Sequence, residues 1–175
     1  MATAKSYLGQ TTLPRGLRNN NPGNIILTSI KWQGKIPNAQ NTDGVFEQFS
    51  SLSYGIRALA MDIINDVNEG TDTIEKLITE FAPPTENNTA AYILGVSNKL
   101  GIPKTQPLSL STPVLSALIR AIAEIENGKT AATTYLTDED INAGIGYLPA
   151  AILQRIGYFV KQNSKSIAGF FLRSR

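Results

Sequence analysis

The sequence predicts an α+β domain, mainly α-helical, with one small antiparallel β-hairpin or sheet. Three observations predict it. Leu115, Leu118, Ile119, Ile122 and Ile125 recur at three- and four-residue spacing, which marks a helix with one buried face. The same periodicity returns in several other stretches on either side. Only residues 25–48 alternate in the manner of strands. The chain has 175 residues, 42% hydrophobic and 17% charged, enough to bury the core of one globular domain.

Residues 1–14 are polar and rich in small side chains, and are expected to form a flexible N-terminal arm. Residues 15–26 read Arg-Gly-Leu-Arg-Asn-Asn-Asn-Pro-Gly-Asn-Ile-Ile. Three asparagines before Pro22-Gly23 do not suit a helix interior, because Asn accepts left-handed backbone and bonds its own neighbours. An ordered polar loop is expected. The amides of Asn19, Asn20, Asn21 and Asn24 can contact sugar or brace the backbone of a cleft, and the sequence alone weighs the two equally.

Residues 25–48 are the expected hairpin, with Asn41-Thr-Asp-Gly44 as its turn. Trp32 is the single tryptophan. It suits either a stacking platform for a sugar ring or a core anchor. Glu47 lies between Phe46 and Gln48-Phe49, and is expected to face solvent or a cleft. It is the main rival carboxylate.

A helix is expected over 50–70, capped by Ser51 or Ser53, with Ile56, Leu59, Ala60, Ile63, Ile64 and Val67 inward. A shorter one over 71–81 ends before Pro83-Pro84. A third, over 85–101, starts from Glu86-Asn-Asn-Thr89 and closes at Gly101. The long helix from Thr112 to Gly128 follows, with Thr112 as N-cap and Pro113 in the first helical position. Glu124 points to solvent. Glu126 follows Ile122 by four residues and Ile119 by seven, so it shares the apolar side. A carboxyl there, at a helix C-terminus, should have a raised pKa, as a general acid near neutral pH requires. The plainer reading has Glu126 turned outward or paired with Lys129. Thr137-Asp-Glu-Asp140 begins a further helix, and Leu148 to Val160 carries Ile152, Ile156, Phe159 and Val160 on one face.

The composition removes several chemistries. There is no cysteine, hence no disulfide, thiol nucleophile or thiolate metal site. There is no histidine, the commonest base and metal ligand. Acid–base work falls to Asp, Glu, Tyr or Lys, which points to glycosidic-bond chemistry. No cofactor and no metal site are expected. The net charge is +2, yet no acid follows Asp140. The basic, partly apolar end suits an anionic partner or a solvated face. No secretory signal and no membrane span are read from the sequence.

Two sets of motifs carry a resemblance. Arg15-Gly-Leu-Arg-Asn-Asn-Asn-Pro-Gly-Asn-Ile25, Trp32-Gln-Gly34, Phe46 to Phe49, Tyr54-Gly-Ile-Arg-Ala58, Phe81 to Thr89 and Ala91-Tyr-Ile93 resemble the opening of a family of phage virion proteins. That resemblance implies a phage structural or lysis protein with a lysozyme-like, peptidoglycan-degrading domain over 15–146. Residues 147–175 would be a helical extension packed on the domain or facing a membrane. Ile122 to Gly128, ending Glu-Asn-Gly, is similar to the acid-bearing helix of lytic transglycosylases and related muramidases. Asn88 to Ile93 resembles their later segment, whose tyrosine lines the site. The hairpin followed by Phe49-Ser50-Ser51 resembles the middle of glucosaminidases of the same superfamily.

The order differs from those enzymes, with the sheet first, then Tyr92, then Glu126, as in a circular permutation. The resemblance implies Glu126 and Tyr92 as catalytic residues. Asn19, Asn20, Asn21, Asn24, Trp32, Glu47, Glu86, Thr89 and Asn127 would contact substrate. It implies cleavage of the β-1,4 bond between N-acetylmuramic acid and N-acetylglucosamine by a transglycosylase or muramidase. An inverting hydrolysis needs Glu47 across the cleft from Glu126. Peptidoglycan glycan strands are the expected partner, with other virion proteins or a phospholipid surface besides, and no nucleic acid. The expected location is a phage virion acting in the bacterial periplasm and cell wall. The alternative is an inactive virion or glycan-binding protein on the same fold.

Overall fold

The computed structural model describes residues 4–85 and 88–158, and among these the chain is mainly helical. The helices are α1 (Arg15–Arg18), α2 (Leu52–Glu69), α3 (Ile74–Phe81), α4 (Thr89–Leu100), α5 (Thr112–Asn127), α6 (Lys129–Tyr135), α7 (Asp138–Ile145) and α8 (Ala150–Arg155). Helix α5 is the hub. Helices α1, α2, α4, α6 and α7 all pack on it, while α3 bridges α2 and α4.

The α5 stripe explains this position. Leu115, Leu118, Ile119 and Ile122 are fully buried, and each such side chain contributes about 1.5–3 kcal/mol of apolar burial. Ile125, the last residue of the expected stripe, is only partly buried. The helix begins at Thr112 with Ser111 in the N-cap position, one residue earlier than expected, and Pro113 sits in its first turn. Gly128 ends it with φ +79°.

Helix α2 buries Ile56, Leu59, Ala60, Ile63 and Ile64, and Gly70 closes it in a left-handed conformation. Thr73 caps α3 by accepting from the Lys76 backbone N–H. Asn88 caps α4 by accepting from Ala91, and Thr137 and Asp140 form a reciprocal capping box on α7. In α4 the inward positions are Thr89, Ile93 and Val96, which leaves Tyr92 and Leu94 exposed.

The expected hairpin is not a sheet. Among the described residues it consists of two isolated antiparallel bridges, Ile26 with Phe46 and Lys35 with Phe49. The run 45–50 is the shared centre. Leu27 N–H donates to Val45 O and Glu47 N–H to Ile25 O on one side, and Ile36 N–H to Gln48 O and Ser50 N–H to Gly34 O on the other. Each flanking segment stays beside it for a single bridge. On one flank Pro37 then supplies no N–H and a turn of 3-10 helix follows at Asn38–Gln40. The turn at 41–44 forms as expected, with Asp43 and Gly44 N–H groups donating to Asn41 Oδ1.

The described part of the N-terminal arm is not free. Leu52 N–H donates to Lys5 O, Lys5 Nζ lies 2.5 Å from Asp140 Oδ2, and Tyr7 Oη donates to Tyr135 O. Leu13 is buried. The polar arm is held because its backbone and its two long side chains find partners on three elements. At the other end, Ile156 is buried and its carbonyl accepts from Thr112 N–H and Oγ1. Tyr158 Oη donates to Asn142 O. Residues 147–158 therefore pack on the domain. Phe159, Val160 and the apolar run 167–172 lie outside the described residues. No helix among the described residues is long and apolar enough to cross a membrane.

Candidate functional site

The site is built where the Asn-rich segment meets the end of α5. Its first residues wind into α1 rather than a plain loop. Leu17 enters the core, fully buried. Gly16 then lies against α5. A Cβ there would stand 2.4 Å from Asn127 Oδ1, 2.8 Å from Asn21 O and 2.9 Å from Asn24 Oδ1. Three oxygens crowd that Cα, so only glycine fits.

Asn127 is the clasp. Its Oδ1 accepts from Leu17 N–H at 3.0 Å. Its Nδ2 donates to Pro22 O at 2.8 Å and to Ala123 O at 3.0 Å. One buried amide thus satisfies backbone groups of the motif at both ends and one carbonyl of its own helix.

The other asparagines do similar work. Asn19 Nδ2 donates to Asp43 Oδ2 and its Oδ1 accepts from Gln48 Nε2. Asn20 has φ +54° and is fully buried. It accepts from Tyr7 N–H and donates to Ser6 Oγ and Phe49 O. Asn21 donates to Ile25 O and Glu47 O and accepts from Ile25 N–H. Helix α2 presses on the same segment: a Cβ at Gly55 would fall 1.6 Å from Asn20 O. Asn19, Asn20, Asn21 and Asn127 are buried at 7% exposure or less. Their hydrogen-bonding groups are spent on protein, so they brace the site instead of lining it.

Asn24 differs. It has φ +47°, and its Nδ2 donates to Glu126 Oε2 at 2.7 Å. Its Oδ1 is buried without a partner among the described residues. Glu126 is half-buried. Burial pushes its carboxyl above the ordinary value, and the Asn24 bond pulls it partly back. The structure therefore supplies a shielded carboxyl, with one neutral donor on one oxygen and, among the described residues, no paired cation.

The remaining candidates make no side-chain hydrogen bond to this pair among the described residues. Glu47 does not face solvent or a cleft. It is completely buried, and its Oε1 accepts from Lys35 Nζ at 2.7 Å and from Thr28 N–H and Oγ1. The alternating pattern placed it outward, but Lys35 and Thr28 fold over it from the flanking segment. Trp32 packs partly buried against the core, and its indole N–H is buried without a partner among the described residues. Thr89 is buried and its Oγ1 donates to Ala82 O, joining α3 to α4. Glu86 lies outside the described residues. Tyr92 lines a groove of about 530 Å³ between α4 and the end of α5, with Gly95, Val96, Lys99, Glu124, Ile125 and Lys129 among its walls. Glu126 is not among the residues lining that groove.

Three polar clusters escaped the sequence. Arg15 grips Asp43 through two hydrogen bonds and holds that carboxyl well below the usual carboxylate range. Arg120 donates to the carbonyls of Ala132 and Leu136 and to Asp138, tying α5 to the end of α6. Asp62 and Asp66, one turn apart on α2, are crowded by Glu80. Burial first and Glu80 second raise Asp62 to about 6. Burial, then Asp62, Glu80 and Glu69, raise Asp66 to about 7. The i, i+4 spacing of Asp62 and Asp66 was readable; the approach of Glu80 was not.

Fold and site together define a mainly helical domain in which an Asn-rich motif is clasped to the end of a central helix beside a half-buried carboxyl. No protein-family model matches the chain. Protein P5 of Pseudoalteromonas phage PM2 is 42% identical to it over 118 residues, 65% of this chain and 71% of that protein. The chain belongs to the family of that phage protein.

Proposed function

We propose that this chain degrades peptidoglycan for a phage virion or lysis system. It would cleave the β-1,4 bond between N-acetylmuramic acid and N-acetylglucosamine with Glu126 as its single acid and base. The observation that carries this reading is the Glu126 carboxyl. It is half-buried, its acidity is weakened by burial, and it ends the central helix in the sequence Glu-Asn-Gly. A carboxyl in that state holds its proton closer to neutral pH and can deliver it to the bridging oxygen. The muramic acid 6-hydroxyl then attacks the anomeric carbon, and the Glu126 carboxylate takes the hydroxyl proton. The products are an anhydro sugar and a free 4-hydroxyl. Glu47 is committed to Lys35 and Thr28, which favours this route over one needing a second free carboxylate. A lysozyme-like, circularly permuted fold fits the order of the elements. A virion location acting on the periplasmic wall fits the phage family.

The second reading is an inactive glycan-binding or structural virion protein. It is favoured by the bracing role of the buried asparagines. Zymography on purified cell walls decides between them. Wild-type protein should clear the wall, and Glu126→Gln should abolish clearing while leaving wall binding intact. Absence of clearing by wild type would remove the enzymatic reading. Mass spectrometry of the products separates an anhydro end from a reducing muramic acid or glucosamine end.

A further inference from the structure

We propose that Asn24 is a positioning residue that holds Glu126 by Oε2 and thereby leaves the transferable proton on Oε1. The inference rests on Glu126 being the acid of the proposed reaction, but its physical core stands apart from activity.

The geometry carries it. An oxygen that accepts an N–H at 2.7 Å is a poor place for a hydroxyl proton, since both hydrogens would crowd one oxygen. Protonation therefore falls on the other oxygen. Asn24 makes this one side-chain hydrogen bond among the described residues, and leaves its own Oδ1 buried and unpartnered. Its backbone sits at φ +47°, a conformation that Asn tolerates better than most side chains. The backbone is set by Asn24 N–H donating to Asn21 O and by the crowding of Asn24 Oδ1 on Gly16. A left-handed residue with an orphaned carbonyl, kept for one bond to one carboxyl, is local cost tied to a site.

Charged neighbours are turned elsewhere. Helix α1 gives Arg15 to Asp43, and Arg18 lines the polar hollow beside it. Helix α4 sends Lys99, and α6 sends Lys129, to the groove of Tyr92, which Glu124 also lines. Helix α7 gives Asp138 to Arg120 and Asp140 to Lys5. On α2, Asp62 and Asp66 stand against Glu80 of α3. The neutral Asn24 amide is thus left as the group that tunes Glu126.

The test follows the Glu126 side-chain carboxyl by carbon NMR in the full-length protein between about pH 4 and about pH 9, a range that brackets displaced carboxyls. The signal is assigned by its loss in Glu126→Gln. Asn24→Gly keeps the left-handed backbone and deletes only the amide. Its Glu126 midpoint should move upward, because the charged form loses a donor. Asn24→Asp, similar in size and also tolerant of that backbone, should move it upward as well, through a second negative charge, and carries the test if the glycine variant does not fold. An unmoved midpoint in the folded variants overturns the proposal. Wall clearing gives a second readout. In Asn24→Gly the alkaline limb should move up with the titration, and the plateau rate should fall about 10–100-fold as the carboxyl loses its orientation. An equal loss at every pH with an unmoved midpoint would make Asn24 a brace only and overturn the proposal. If the midpoint moves while wild type clears no wall, the tether stands and the proposed reaction falls.

Discussion

Asp66→Asn should stabilise the protein, and only on the alkaline side. Asp66 carries no compensating hydrogen bond or ion pair among the described residues, and burial with three acidic neighbours raises it to about 7. Moving a carboxyl from 3.8 to about 7 corresponds to roughly 4 kcal/mol, at about 1.4 kcal/mol per pH unit. Asp66 is half-buried, so solvent screening reduces this to about 1–2 kcal/mol. The direction follows from proton counting. Between about pH 4 and about pH 7 the folded protein holds the proton more tightly than the unfolded chain. Stability contributed by the neutral form is therefore lost as pH rises through that window, and the penalty is complete above it. Asn stays neutral throughout and has a helix propensity close to that of Asp. Urea titrations of wild type and Asp66→Asn at about pH 4, 6 and 8 should coincide at the lowest value and separate by about 1–2 kcal/mol at the highest. A variant equally or less stable at pH 8, or a gap that does not grow with pH, would refute the reasoning.

Two further outcomes test the framework around the site. Asn127→Ala strips partners from Leu17 N–H and from Pro22 and Ala123 carbonyls. It should cost about 2–4 kcal/mol in urea unfolding and weaken amide-exchange protection over residues 16–22. Lys35→Met leaves the fully buried Glu47 without its cation. It should cost about 3–5 kcal/mol in urea unfolding at neutral pH, because the buried charge is left uncompensated.

How far the sequence was legible depended on whether a pattern was local. Helix α5 was read almost to the residue because five apolar positions and a terminal glycine agree. Helix α6 was missed. It follows Gly128 with no linker, holds three threonines, and buries only Ala132, so it shows no amphipathic stripe. The hairpin was over-read because alternation signals extended chain but not how long a partner stays beside it. The Asn motif was recognised as an ordered loop, yet amide chemistry suits sugar and backbone equally. Only the burial of Asn19, Asn20 and Asn21, each bonded to protein groups, resolves it toward bracing. Glu47 failed for a related reason: Lys35 covers it from twelve residues away. The pairing of Asn24 with Glu126 spans 102 positions and leaves no local trace.

That long reach has a consequence for how the protein comes into being. The bonds from Asn127 to Leu17 and Pro22, like the one from Asn24 to Glu126, join the opening of the chain to residues made more than a hundred codons later. A ribosome-bound fragment that stops before α5 owns the whole asparagine motif but lacks the Asn127 clasp and the carboxyl that Asn24 binds. The carboxyl and its tether cannot meet until α5 has been made.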